Sequence, residues 1–413
     1  MRGSGTDPAH HGDGDRGWWG LMRDPVAGPF FGGRILSTLG ALMFTIAAAI
    51  TAFDITGSAV TVAAVTLANY LPQILFAPVT GRFSDLGGAR MQIVLGRLVV
   101  GAGSCSLAAA IHWSGGVTEM TSAAPVVICA AVVGMGFVLG GPSTQAMLSR
   151  LVRPGELAIA TALNSVVPMS VGRAAAPVLG SLITLQFGAT AAFITAGALN
   201  IAYGVLVGFL ALPKDPAAHH CKRTIRAALA FVRTSRPVQL LILGIGAVGF
   251  VQEPSISSAP VLAAEFGGGA GISGWISSTY GVGVAAGLAV LVAAQQRMSL
   301  QRLACGGLLL AASGISLSGF AFSLWISLAA MFFSGMGMSL AFTSITTMLQ
   351  HKTPMNFRGR VMAFWFVGFL GARPLAAALN GVLTDLFGVG LALAATSALV
   401  CVVAWTCRPS ALD

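Results

Sequence analysis

GRAAAPVLGSLITLQFG (172–188) and ARPLAAALNGVLTDLFG (372–388) superimpose without a gap. Arg173 falls on Arg373, Thr184 on Thr384, Phe187 on Phe387 and Gly188 on Gly388. Both stretches lie inside long apolar runs. A charged side chain at the centre of a bilayer costs about 2.5–3.5 kcal/mol even on the milder insertion scale. An arginine kept at the same place in two halves incurs that cost twice. Duplicated membrane halves are the signature of secondary transporters, whose repeats rock about a shared site.

Composition agrees. Of 413 residues, 55% are apolar and 9% charged, and the mean hydropathy is +0.84. A soluble chain carries about 25% charged residues. The 53 glycines suit helices that approach closely in lipid. A spanning helix needs about 20 apolar residues, and twelve stretches qualify. They run roughly over 34–54, 59–81, 91–112, 123–147, 158–183, 190–212, 237–262, 270–294, 303–322, 324–349, 358–384 and 386–407. The expected fold is an all-α membrane protein of twelve helices in two pseudo-symmetric six-helix bundles. Its parts are a polar tail (1–33), a first bundle (34–212), a linker (213–236), a second bundle (237–407) and a short C-terminal tail (408–413).

Every Lys and Arg except Arg97, Arg173 and Arg373 falls in the tails or in alternate loops, all on one side of this topology. By the positive-inside rule that side is cytoplasmic, with both termini on it. The pI of about 10.1 is thereby explained without a nucleic-acid partner. In the linker, Ile225, Leu229 and Val232 recur at helical spacing beside Arg226, Arg233 and Arg236, as in an amphipathic helix on the inner membrane surface. A solvated connector fits the same residues. The N-terminal tail lacks the continuous apolar core of a signal peptide, so it is expected to remain uncleaved. It reads as solvated, although His10, His11, Asp13 and Asp15 stand close together in it. His219, His220 and Cys221 form a weak loop cluster. The six cysteines have no metal-ligand spacing and read as packing residues. No metal or cofactor is expected.

GRFSDLGGAR (81–90) resembles the inner-loop signature of the major facilitator superfamily, with Gly81, Asp85, Gly88 and Arg90 matching and two expected bases replaced by Leu86 and Ala89. GRAAAPVLGS (172–181) resembles that superfamily's exporter-associated motif in the fifth helix. There Gly172, Pro177 and Gly180 match, while Ala176 and Ser181 replace glycines. With the stretches from Asp54, Ala162 and Arg358, these motifs are similar to the bacterial branch of enterobactin and macrolide exporters. The resemblance implies a gating role for Asp85 and export by antiport. Read without it, the first motif is a polar turn and the second is small-residue packing.

Charge inside the spans carries the chemistry. Glu253 lies about 15 residues into the seventh span, roughly 22 Å along it, and is followed by Pro254, which frees a carbonyl. Asp54 ends the first span in the equivalent place of the other half. Either acid can also be read as a solvated group near the rim. By the repeat, two ion pairs are expected, Arg173 with Asp54 and Arg373 with Glu253. Protonating an acid would release its arginine and bias the outer opening. Asn69, Gln73, Gln145, Asn164, Asn200 and Tyr280 either line a cavity or bond between helices.

The function expected is proton-driven export of a small amphiphilic molecule by a monomer in the plasma membrane. Its partners are the substrate, protons and lipid. A proton-coupled importer is the alternative within transport, and a non-transporting sensor or lipid-processing protein the alternative outside it. No G-x-x-x-x-G-K-[ST] loop is present for ATP, and no convergent His, Cys and carboxylate cluster suggests an enzyme.

Overall fold

The computed structural model describes residues 17–85, 88–212, 225–354 and 358–408. Among them, eleven helices are long and apolar enough to cross a membrane. One of these, Val167–Phe209, is broken at Gly188 and supplies two crossings, so the spans number twelve. The first bundle holds α1 (Ala27–Thr56), α2 (Ala59–Asp85), α3 (Ala89–Trp113) and α4 (Ala124–Leu151), then α5 and α6, the arms 167–187 and 189–209. The second holds α7, which is Arg236–Gln252 continued by Pro254–Ser257 and Ala259–Glu265. It also holds α8 (Ala270–Ala294), α9 (Leu300–Gly319), α10 (Leu324–Lys352), α11 (Arg358–Phe387) and α12 (Val389–Thr406).

Each bundle has its own core. Phe44, Ile50, Leu107, Ile111 and Phe193 centre the first, and Ile245, Val248, Leu308, Ile345 and Val400 the second. Alternate connections gather Arg90, Arg153, Arg236, Arg297, Arg302 and Arg408 at one end of the molecule, hereafter the basic end. The opposite end carries the turns at Gly57, Gly188, Gly267 and Gly388.

The first helix begins earlier than the hydropathy suggests. A short helix, Trp18–Arg23, precedes it, and α1 starts at Ala27. The Asp24 carboxylate accepts from the backbone N–H of Val26 and Ala27 at 2.9 and 2.8 Å, supplying the turn that launches α1. Leu21, Phe30 and Phe31 are buried beside Tyr203. The glycines and prolines between these apolar residues diluted the signal. The linker does contain a helix, Ile225–Thr234. His219, His220, Cys221, His10, His11, Asp13 and Asp15 lie outside the described residues.

The duplication is visible in the backbone. Gly188 has φ 83° and ψ 166°, and Gly388 has φ 86° and ψ 160°. This region is open essentially to glycine alone, and forcing another residue there costs on the order of 1–3 kcal/mol. A Cβ at Gly388 would meet nothing within 4 Å, and neither would one at Gly371, which sits in regular helix. Gly388→Ala should therefore lower the thermal unfolding midpoint of the purified protein while Gly371→Ala does not. Equal midpoints would remove the backbone argument.

Candidate functional site

The site begins at a break in α7. Pro254 has no N–H to continue the ladder, and the helix is divided at Glu253 and again at Ser258. Serine hydroxyls fill in where the ladder is interrupted. Ser255 donates to the Gln252 carbonyl at 2.8 Å, Ser257 to the Glu253 carbonyl at 3.1 Å, and Ser277 of α8 to the Ser255 carbonyl at 2.6 Å. Glu253 itself is fully buried.

Its partner is the arginine that the repeat marks. Arg373 Nε stands 3.0 Å from Glu253 Oε2. Arg373 lies midway along α11, roughly 22 Å from Arg358 at 1.5 Å per residue. The pair is built within the second bundle but held by the first. Arg373 Cζ sits 4.2 Å from the centroid of the Tyr70 ring on α2. Thr66, one turn earlier on the same face of α2, is a polar neighbour of the Glu253 carboxylate. A desolvated cation–π contact is worth about 2 kcal/mol. Removing one member of a buried pair costs about 3–5 kcal/mol, because the other charge is stranded. The pair is not saturated: Glu253 Oε1 and Arg373 Nη2 have no hydrogen-bond partner.

The second expected pair does not form. Asp54 lies exposed at the end of α1, two residues before the helix stops at Thr56. Glu253 has twelve more residues of helical chain beyond it, to Glu265. Similar positions in the two halves therefore sit at different depths. Arg173 instead approaches the same centre as Arg373, with Tyr280, Tyr70, Arg373 and Glu253 as its electrostatic neighbours.

Around this layer the two bundles close on each other. A Cβ at Gly281 of α8 would collide with the Arg173 carbonyl of α5. A Cβ at Gly381 of α11 would stand 2.9 Å from the Ala59 carbonyl of α2. Nearer the end opposite the basic one, Asp385 of α11 caps α2 in trans. Its carboxylate accepts from Ser58 Oγ at 2.6 Å, Ala59 N at 2.8 Å and Val60 N at 3.2 Å. The orphan amides and positive dipole end of a first-bundle helix are thus satisfied by a second-bundle acid. The repeat pairs Asp385 with Leu185, which approaches Gly271 at the start of α8. One of the two seals is polar and the other apolar.

Twelve spans in two related halves, with a charged layer where they meet, agree with the comparison to known proteins. The sequence profile of the transmembrane secretion effectors matches residues 19–412. The chain belongs to this family. Its fold is that of the major facilitator superfamily. It is similar to a bacterial homologue of the human lysosomal transporter Spinster in an inward-facing, occupied conformation, with TM-score 0.75, 14% identity, and 92% and 94% of the two chains covered. It is also similar to the nucleoside transporter NupG (TM-score 0.72, 11% identity, 92% and 98% covered) and to a D-xylose–proton symporter (0.69, 15%, 91% and 96%). No curated protein matches it in sequence.

The remaining motif residues take structural places. Gly172 and Gly180 face α1, with Leu42 and Met43 as their neighbours. Pro177 turns its carbonyl toward Gly274 of α8, and the following amide, Val178 N–H, donates to Ser278 Oγ at 3.1 Å. Gly81 and Asp85 close α2, but their side chains lie outside what is described. Gly88 precedes α3, and Arg90 donates to the Gly208 carbonyl at the end of α6. Asn69, Gln73 and Asn200 bond locally or between helices. Gln145 and Asn164 bond to each other, and the Asn164 carbonyl, in a π-helical turn, accepts from Arg34.

Losing the trans cap should weaken the seal. Truncating a cap costs about 0.5–2 kcal/mol. Spin labels at exposed Trp113 and Phe322, one on each bundle at the sealed end, should report one short distance in the parent. Asp385→Ala should add a longer population. An unaltered distance distribution would mean that Asp385 does not hold the bundles together.

Proposed function

We propose that the protein is a proton-driven exporter of a small amphiphilic molecule, working by alternating access. The observation that carries this reading is the Glu253–Arg373 pair, buried at the bundle interface and held across it by Thr66 and Tyr70. The positive-inside rule makes the basic end cytoplasmic, with both termini there. The sealed end is then external. The description of the family as secretion effectors supports the outward direction. On this reading the proton gradient is the energy source, and no cofactor is invoked. A monomer in the plasma membrane is sufficient, because both repeats are in one chain.

The geometry supplies the exchange logic. An antiporter must not switch when it is empty and unprotonated, or the gradient would be dissipated. Ionised Glu253 holds Arg373 against Tyr70, with Thr66 of the same helix beside the carboxylate, which locks the external seal. A proton on Glu253 removes the charge that holds Arg373 against Tyr70, so the two bundles can part. Bound substrate releases the same lock from the cytoplasmic side, so only the empty, ionised site cannot switch. Once the outer side is open a proton from outside reaches Glu253, later leaves on the cytoplasmic side, and the locked pair reforms ready for the next substrate. The break at Pro254 gives the carboxylate freedom to exchange partners without unwinding a continuous helix.

The test uses inside-out vesicles and an amphiphilic fluorescent dye. Energised vesicles carrying the parent protein should accumulate dye, and an uncoupler should release it. Glu253→Gln should bind dye with unchanged affinity yet accumulate at least tenfold less. Accumulation that survives the uncoupler, or persists in Glu253→Gln, would rule out Glu253 as the proton carrier. Proton-driven accumulation in right-side-out vesicles would make the protein an importer.

A further inference from the structure

Arg173 is the charge that the proton cycle leaves unused. It is 9% exposed, and no described residue accepts a hydrogen bond from it or forms an ion pair with it. Tyr280, 1% exposed, has a hydroxyl with no partner. Both line one cavity of about 20 Å³ between α1, α5, α7 and α8, along with Ser255, Ser277, Leu42 and Ile46. Ser277 is already engaged, donating to the Ser255 carbonyl. Two donors, a guanidinium and a phenol, therefore face a space whose other polar side chains are two neutral serine hydroxyls, with no anion among them.

Charge narrows what belongs there. Arg173, Arg373 and Glu253 are electrostatic neighbours, and the one carboxylate is paired with Arg373, so these three groups together carry one positive charge in excess. A water in the cavity would satisfy Tyr280 but leave that charge. An anionic oxygen does both. The cavity has room for roughly one water, too little for a tetrahedral phosphate. A single carboxylate oxygen takes the space of one water, and the charge of a carboxylate matches the fork of an arginine. Leu42 and Ile46 offer an apolar wall to the rest of such a molecule.

The geometry points to Arg173 and Tyr280 as the seat of a carboxylate on the transported molecule. This rests on the transport reading and specifies it: the substrate is an amphiphile with an anionic head, an apolar body and no need of a second charge. Arg173 makes the charge-assisted bonds and Tyr280 donates to the outer oxygen. Bound there, the carboxylate cancels the excess positive charge beside Glu253 and Arg373. Substrate and proton then act on the same layer from its two sides.

Binding tests this without transport. The full chain in lipid nanodiscs is unfolded by heat at constant ionic strength with benzoate, its neutral isostere benzamide, or chloride. Benzoate near saturation should raise the midpoint by about 2–4 °C or more, and benzamide and chloride should not. Arg173→Gln should abolish the shift, and Tyr280→Phe should reduce the apparent affinity several-fold while the protein stays folded. If Arg173→Gln cannot be purified, the Tyr280→Phe titration decides alone. A shift of equal size from benzamide means apolar binding only, and an equal shift from chloride means an adventitious ion only. Either result, no response to benzoate, or an undiminished response in the variants overturns the proposal. Because the readout is binding, its failure leaves the vesicle assay standing, and failure of proton-driven export leaves the binding result standing.

Discussion

A guanidinium in hydrocarbon must find an anion, and Arg373 finds Glu253. Much of the central architecture can be traced to that requirement. The carboxylate sits in the middle of a span, where it is tolerable only when paired and hydrogen-bonded. The pair is held from across the bundle interface by Tyr70 and Thr66, so the charge balance depends on how the bundles are docked. Pro254 breaks α7 next to the acid, and three serines take up backbone groups around the break. A continuous α7 would hold Glu253 more rigidly and would leave those serines without a role.

The two halves share a scaffold but divide the labour. Gly188 and Gly388 repeat the same backbone geometry, and α5–α8 repeats the packing of α2–α11. Chemistry has diverged on this common frame. Arg373 has an acid and Arg173 does not. Asp385 caps α2 where Leu185 merely packs near Gly271. Placing the one buried interfacial acid, Glu253, in the second half leaves Arg173 without an ion-pair partner. Two identical ion pairs would bind two protons and leave no unsatisfied positive charge.

The sequence made the fold legible because membrane spans announce themselves by length and apolarity, and because Arg173 and Arg373 fix the repeat. The Arg373–Glu253 partnership was legible too, since a charge in lipid has few candidate partners. The companion pair with Asp54 failed for a geometric reason: α1 stops at Thr56, while α7 runs on past Glu253 to Glu265. Tyr70 and Thr66 were hidden because nothing distinguishes an interfacial tyrosine or threonine from a lipid-facing one before the bundles are docked. Asp385 left a trace, an acid opposite Leu185 in the repeat and a serine before α2. Its role needed two distant helix ends brought together. The early start of α1 was obscured by glycines and prolines between buried aromatic residues.

The central claim is that protonation of Glu253 unlocks the sealed end. Its most direct test is the distance between Trp113 and Phe322 label sites followed across pH in lipid nanodiscs, in the parent and in Glu253→Gln. The account predicts one short distance at high pH in the parent, with a longer population growing as pH falls. In Glu253→Gln both populations should be present at every pH, in proportions that no longer change. A parent distribution that ignores pH, or a pH response that persists in Glu253→Gln, would contradict it.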